Sequence, residues 1–181
     1  MQYQNIHLIY FSPTHTSAKI AYAIAEALEA DTLSESDITH EGLKEPLSMG
    51  GNELVIVAVP VYGGRVVETA MERIRMFKGN ATPVIPVVVY GNRDYEDALK
   101  ELSDALSAQG FVPVSAGAFI GEHSYSRKDM PIAAGRPDKD DLLKASEFGS
   151  EILKKLDNVS TLTDLQPLEV KGNFPYKVKG P

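Results

Sequence analysis

The chain has 181 residues, 43% hydrophobic and 24% charged, a size and balance that suit one globular domain with enough apolar material to fill a core. Its net charge of −7 argues against general nucleic-acid binding. The absence of cysteine excludes disulfides, thiolate nucleophiles, Cys-ligated zinc and all-Cys iron–sulfur clusters within this chain. No apolar run is long enough to cross a bilayer, and the opening MQYQNIHLIYF lacks a basic n-region and a cleavage site. The expectation is a soluble, cytoplasmic protein with no membrane or nucleic-acid partner. Four histidines, at 7, 15, 40 and 123, show no metal-ligand spacing, so no metal site is expected. Redox chemistry in such a chain would fall to a bound organic cofactor.

Apolar runs alternate with helical patterns along the chain. Ile6–Phe11 reads as a first strand, followed by SPTHTS and a helix near Ala18–Ala30 with Ile20, Ile24 and Leu28 on one stripe. Asp31–Thr39 reads as a weak edge strand. Leu54–Val59 is continuously apolar, as in a strand covered on both faces. After Gly63-Gly64 a helix is expected near Val67–Phe77, with Met71, Ile74, Met76 and Phe77 as core. Pro83–Tyr90 reads as another buried strand. Asp94 is placed to cap a third helix running through Gln109, and Gly110 to stop it. Val112–Ile120 reads as a fifth strand and Gly121–Pro137 as a polar loop. Asp138 precedes a last helix near Lys139–Leu156, whose inner face would carry Leu142, Leu143, Phe148 and Ile152. This alternation implies right-handed βαβ crossovers and an α/β three-layer sandwich, with a five-stranded parallel sheet in the order 2-1-3-4-5. One domain is expected over residues 1–157, with 158–181 a wrapping extension or a linker.

Open α/β sheets bind ligands beyond the carboxyl ends of their strands, and the polar signals collect there. After strand 1, Ser12, Thr14, Thr16 and Ser17 supply four hydroxyls ahead of a helix, with His15 among them. With the N–H groups of a positive helix end they form an anion cradle. This loop has neither lysine nor glycine, so it is not a Walker loop and does not match GxGxxG. Neutral donors around one phosphate suit a monoester such as FMN; the plainer alternative is helix capping alone. After the next long strand, Pro60-Val61-Tyr62-Gly63-Gly64-Arg65 offers paired glycines for close backbone approach and an aromatic face for stacking, or else an ordinary βα turn with a surface tyrosine. Beyond Tyr90 follow Gly91, Asn92, Arg93, Asp94 and Tyr95. The three loops in register carry the argument. His7 and His40 read as structural. His123, between Glu122 and Ser124, reads either as a proton donor at the site or as a residue that orders its loop.

The run IYFSPTHTSAKIAYAIA resembles the phosphate loop and first helix of flavodoxins, and VAVPVYGGRV resembles the loop that packs on one side of their flavin ring. VVYGNRDYEDALKELSDAL, AFIGEHSYS, IAAGRPDKDDL and GNFPYK resemble the flavodoxin-like part of flavodoxin–ferredoxin fusion proteins of anaerobic bacteria, across essentially the whole chain. The resemblance implies a flavodoxin-like fold over residues 1–157 that binds FMN. It implies phosphate contacts from Ser12, Thr14, His15, Thr16 and Ser17. It implies ring contacts from Pro60, Val61, Tyr62 and Gly63 and from Gly91, Asn92, Arg93 and Tyr95. Glu122, His123, Ser124 and Tyr125 would reach the ring or a partner. No catalytic residue is implied.

The function expected from this resemblance is electron transfer with an iron–sulfur, ferredoxin-type protein or fused module. Two alternatives are an FMN-dependent reductase of a small anionic substrate and a flavin-free interaction module on the same fold. The chain departs from ordinary flavodoxins in lacking tryptophan, which leaves stacking to Tyr62 and Tyr95. It also places Arg65, Arg93, Arg127, Lys128 and Arg136 in the crevice loops, a basic rim that is either free or paired with neighbouring acids.

Overall fold

The computed structural model describes residues 1–179. Its elements in chain order are β1 (Asn5–Tyr10), α1 (Thr16–Ala27), β2 (Thr32–Asp37), β3 (Leu47–Met49), β4 (Glu53–Tyr62), β5 (Arg65–Val66), α2 (Glu68–Ile74), β6 (Phe77–Gly79), β7 (Thr82–Tyr90), α3 (Ala98–Ala108), β8 (Phe111–Pro113), β9 (Gly117–Ile120) and α4 (Lys139–Asp157), with a 3₁₀ turn at Leu162–Asp164. Parallel pairing runs β2-β1-β4-β7-β8, and the apolar runs at β4 and β7 form its centre. Side chains alternate across these strands. Leu54, Ile56 and Ala58 enter a core shared with α1 and α4, while Val55, Val57 and Val59 enter a second core under α2 and α3. The strands are buried on both faces, which is why they read as continuous apolar runs.

Four sequence expectations need correction. The sheet has seven strands rather than five, because the expected fifth strand splits and a short β5 is added. The Val114 carbonyl turns to the Lys155 ammonium (2.6 Å) between β8 and β9, and both halves pair with β7. β5 folds back antiparallel on the end of β4, through Val61↔Val66 and Tyr62↔Arg65. The third helix begins at Ala98, behind Asp97 rather than Asp94; the Asp94 carboxylate instead accepts from the Glu96 N–H at 2.9 Å. The second helix ends at Ile74, so Phe77 opens β6, which pairs with an unforeseen β3. On α4 the buried face is Ala145, Gly149, Ile152 and Leu156, with Leu142 and Phe148 packed against the same core; of the expected residues Leu143 is exposed. Asp138 does cap α4, in a reciprocal box with Asp141.

The segment after α4 wraps the domain. The amino terminus donates to the Leu156 and Val159 carbonyls, and residues 171–177 lie along α3. Among the described residues no helix is long and apolar enough to cross a membrane.

Candidate functional site

The loop between β1 and α1 is built around Ser12. Its N–H donates to Thr39 Oγ1 (2.9 Å), which ties the loop to the chain after β2. Its hydroxyl accepts from the Ala18 N–H (3.0 Å) and serves as an internal cap, with its own proton still to donate. His15 takes a left-handed conformation (φ 64°) and donates its N–H to the Ser12 carbonyl (3.1 Å). This bend turns the chain into the helix and leaves the N–H groups of Thr14, Thr16 and Ser17 without a protein acceptor among the described residues. The Ser17 hydroxyl is fully buried and also has no partner. A buried, unsatisfied hydroxyl costs about 1–3 kcal/mol, and one beside three free N–H donors fits an anion that would accept from all of them.

The second loop is a two-residue hairpin. Gly63 and Gly64 take φ of 60° and 78°, the paired positive values that a tight turn between β4 and β5 requires. Tyr62 is half-exposed at 51%, so its ring is open for stacking, and a side chain at Gly63 would meet nothing within 4 Å. Pro60 and Val61 are partly buried on β4 below it. Arg65 faces the other way. Its guanidinium makes two bonds to Glu101 (2.8 and 2.7 Å), and the Glu101 carboxylate also accepts from the Val66 N–H (3.0 Å).

The third loop is less open than the sequence suggests. Asn92 and Arg93 are exposed, and Asn92 is left-handed (φ 62°). Tyr95 packs obliquely on Tyr90 with centroids 5.3 Å apart, and the Lys171 ammonium lies 4.4 Å from its ring centre. Tyr62 is therefore the better-exposed stacking surface of the two. Gly91 has a different reason for being glycine. A Cβ there would come within 2.3 Å of the His123 imidazole, so the ring of His123 occupies the space above this peptide.

The fourth loop, 121–137, is held by its own backbone. Gly121 bonds the Tyr90 carbonyl, Glu122 the Arg136 carbonyl and His123 the Ile132 carbonyl, and the Glu122 carboxylate accepts from the Gly135 N–H (3.1 Å). The Tyr125 N–H donates to His123 Nδ1 (3.0 Å), so a neutral His123 carries its proton on Nε2 and can donate from there. Tyr125 lies against this ring (5.3 Å) and is 71% exposed. Thr14, Thr16, His123, Ser124 and Ser126 line one cleft of about 340 Å³ with Lys19 and Arg136. Thus the first and fourth loops meet in one cleft, and His123 joins it to the third loop.

The basic rim is divided. Arg65 pairs with Glu101, and Arg136 with Asp141 (2.5 Å) and, more distantly, Asp138 (3.7 Å). The two bonds from Arg136 hold the Asp141 carboxyl well below its usual range, at about 2. Arg93, Arg127 and Lys128 are exposed and have no acidic partner within 4.0 Å among the described residues. His7 is structural, bridging Ser34 and Ser36 of β2 at 2.7 and 2.8 Å, and burial lowers its pKa. Not foreseen from the sequence are Thr39 and the row of acids formed by Asp97, just before α3, with Glu101 and Asp104 on it. Their i, i+4, i+7 spacing on one helix face was the available signal.

A parallel sheet with helices on both faces, and a polar cleft between the loops that follow β1 and β9, define a flavodoxin-like fold. The solved structures that resemble it agree. An archaeal flavodoxin aligns over 85% of this chain and 99% of its own, with 15% identity and a TM-score of 0.53. A flavodoxin of Bacillus cereus aligns over 86% of this chain and 99% of its own, with 13% identity and a TM-score of 0.56. A flavone reductase aligns over 93% of this chain and 66% of its own, with 10% identity and a TM-score of 0.61. At such identities the likeness concerns the fold. No family model and no curated protein matches the chain.

Proposed function

We propose that this chain binds FMN and exchanges electrons through it with an iron–sulfur, ferredoxin-type partner. The observation that carries this reading is the first loop, where the buried Ser17 hydroxyl and the N–H groups of Thr14, Thr16 and Ser17 are all without acceptors among the described residues. Bound FMN supplies reversible redox chemistry at its ring; the protein supplies orientation, electrostatics and exclusion of water. Ser12, Thr14, His15, Thr16 and Ser17 would hold the phosphate. Tyr62 and Gly63 would lie along one side of the ring, with Asn92 and Arg93 at its border. His123 can donate from Nε2 into the same cleft. The three exposed cations, Arg93, Arg127 and Lys128, favour an acidic partner despite the net charge of −7.

The same cations give the second reading its support: an FMN-dependent reductase whose small anionic substrate is drawn to this rim. Its test is turnover of small anionic oxidants without a protein partner.

The first experiment is to release the flavin from purified protein by heat, identify it, and titrate the stripped protein with FMN and riboflavin. The donors of the first loop predict FMN binding at least about ten-fold tighter, the worth of one hydrogen bond to a charged group. Equal affinity would remove the phosphate argument, and binding of neither flavin would remove the function.

A further inference from the structure

Residues 171–177 are bonded to the 94–97 turn and, through Arg65, to the 63–66 hairpin. Lys171 Nζ bonds Asp94 (2.9 Å) and covers Tyr95, and Lys177 Nζ lies 2.6 Å from Glu96 Oε2. Between these points the segment is latched by one buried carboxylate. Asp97, 3% exposed, accepts from the Asn173 N–H (2.8 Å) on one oxygen and from the Lys177 N–H (2.6 Å) on the other. These two backbone bonds, in that order of effect Lys177 then Asn173, lower the Asp97 pKa. Tyr176 donates to Asp104 (2.7 Å), and the Arg65 guanidinium stands 5.1 Å from its ring centre while donating to the Lys177 carbonyl.

The same residues hold the glycine hairpin. The Asp97 N–H donates to the Gly64 carbonyl (3.1 Å), Glu101 accepts from the Val66 N–H, and Arg65 links Glu101 to Lys177. One short segment is therefore bonded to the 94–97 turn directly, and to the 63–66 hairpin through Arg65. A carboxylate used this way is not a helix cap: the Asp97 side chain makes no bond to the first turn of α3.

We infer that residues 171–177 are a strap that fixes the spacing of the two loops flanking the cofactor ring, and that Asp97 is the positioning residue that latches it. The part concerning the ring rests on the FMN reading. The part concerning the loops does not.

The test uses the whole 181-residue chain with two variants. Asp97→Asn removes one acceptor charge and one acceptor oxygen. Lys177→Pro removes an N–H donor in an exposed segment and leaves the domain core untouched. Amide exchange at Val66 and at residue 97 reports the loops, and exchange at Asn173 reports the strap. The expected result is faster exchange at all three in both variants, by about ten-fold, the equivalent of one hydrogen bond to a charged group. Riboflavin and FMN affinities should fall together, leaving their ratio unchanged, because among the described residues no hydrogen bond joins residues 171–177 to residues 12–17. Loosening confined to residues 171–177, with Val66 and residue 97 still protected, would overturn the inference. So would loosened loops with flavin affinity unaltered. If the wild type binds neither flavin, the FMN reading fails by itself, and exchange at Val66 and residue 97 still decides whether the strap holds the loops. Should Asp97→Asn fail to fold, Lys177→Pro gives the same decision alone.

Discussion

The two ends of the site are built on opposite terms. Around the 63–66 hairpin and the 94–97 turn, most polar groups are engaged: Arg65 with Glu101, Asp97 with two tail amides, Lys171 with Asp94, while the buried Glu96 Oε2 has the Lys177 ammonium as an ion-pair contact and no hydrogen bond. Around residues 14–17 the reverse holds, since three N–H groups and the buried Ser17 hydroxyl have no protein partner among the described residues. Both loops carry charged or polar residues in similar density, so composition alone cannot separate them. Satisfaction can. Where protein groups satisfy one another the loop is a scaffold, and the groups left open at the first loop are the donors that the proposed FMN phosphate would engage.

The largest effect expected from this difference comes from the open end. Replacing Thr14 and Ser17 together by alanine removes two hydroxyl donors from the proposed phosphate cradle. Two hydrogen bonds to a charged group are worth at least about 3 kcal/mol, so FMN affinity should fall on the order of a hundred-fold. Riboflavin affinity should hardly change. Thermal stability should hold or rise slightly, because the buried Ser17 hydroxyl is unsatisfied in the free protein. Calorimetric titration with both flavins, beside a melting curve, checks all three. A variant that loses riboflavin and FMN in equal measure would show that these hydroxyls order the loop instead, and the contrast between the two ends would collapse.

Much of this was legible in the residues, and unevenly so. The strands at 54–59 and 83–90 are buried on both faces, and continuous apolar sequence has few other uses in a chain of this size. The helix stripe Ile20, Ile24, Leu28 became core for the same reason. The hydroxyl-rich first loop stood out because four side-chain donors exceed what capping needs. Less legible were features set by pairing between distant segments. The split of the fifth strand depends on Lys155 reaching Val114, and the start of α3 depends on what Asp94 and Asp97 each bond. The docking of the tail has no periodicity to betray it, because a strap is held by backbone N–H groups that every residue but proline carries. Likewise, the sequence puts five cations in the crevice loops without saying that Arg65 and Arg136 are committed to carboxylates.

A smaller effect is expected on the engaged side, from Asp141. Its carboxyl is held at about 2 by Arg136, against an ordinary value near 3.9, so its folded pKa is depressed. Its stabilising contribution is therefore complete above about pH 5 and is lost as pH falls through about 4 towards 2. Asp141→Asn should lower stability at neutral pH by about 1–2 kcal/mol, allowing for the partly exposed guanidinium, and flatten the acid limb of the stability curve. Denaturant melts at pH 7, 4 and 2.5 measure it. If wild type and variant lost stability in parallel over that range, the Arg136 pair would contribute nothing specific. Since Arg136 also borders the cleft with His123, FMN binding in this variant would show how far loop 121–137 depends on its anchor.

The smallest effect sharpens the contrast at the surface, between cations that are paired and cations that are not. Arg93 is exposed on the turn after β7, next to Asn92, and no acid lies within 4.0 Å of it among the described residues. An exposed charge of this kind adds little to stability but acts on encounter rates, and its reach shrinks as salt screens it. Arg93→Glu reverses one charge at the mouth of the site. It should slow electron exchange with an acidic iron–sulfur protein by a few-fold, roughly the scale of a single rim charge at low ionic strength. The difference should fade as salt is raised past about 0.15 M, where the Debye length is about 8 Å. Arg65→Gln is the comparison. It changes the charge by −1, half the −2 of Arg93→Glu, and leaves the Glu101 carboxylate without its partner, so it should destabilise the hairpin and alter the salt dependence of the rate less than Arg93→Glu does. Stopped-flow rates across a salt series, for both variants and with the same donor, separate the two roles. If the Arg93 variant reacted as fast as the wild type at every salt concentration, the free cations would be ordinary solvated surface, and partner selection would have to come from the exposed rings of Tyr62 and Tyr125.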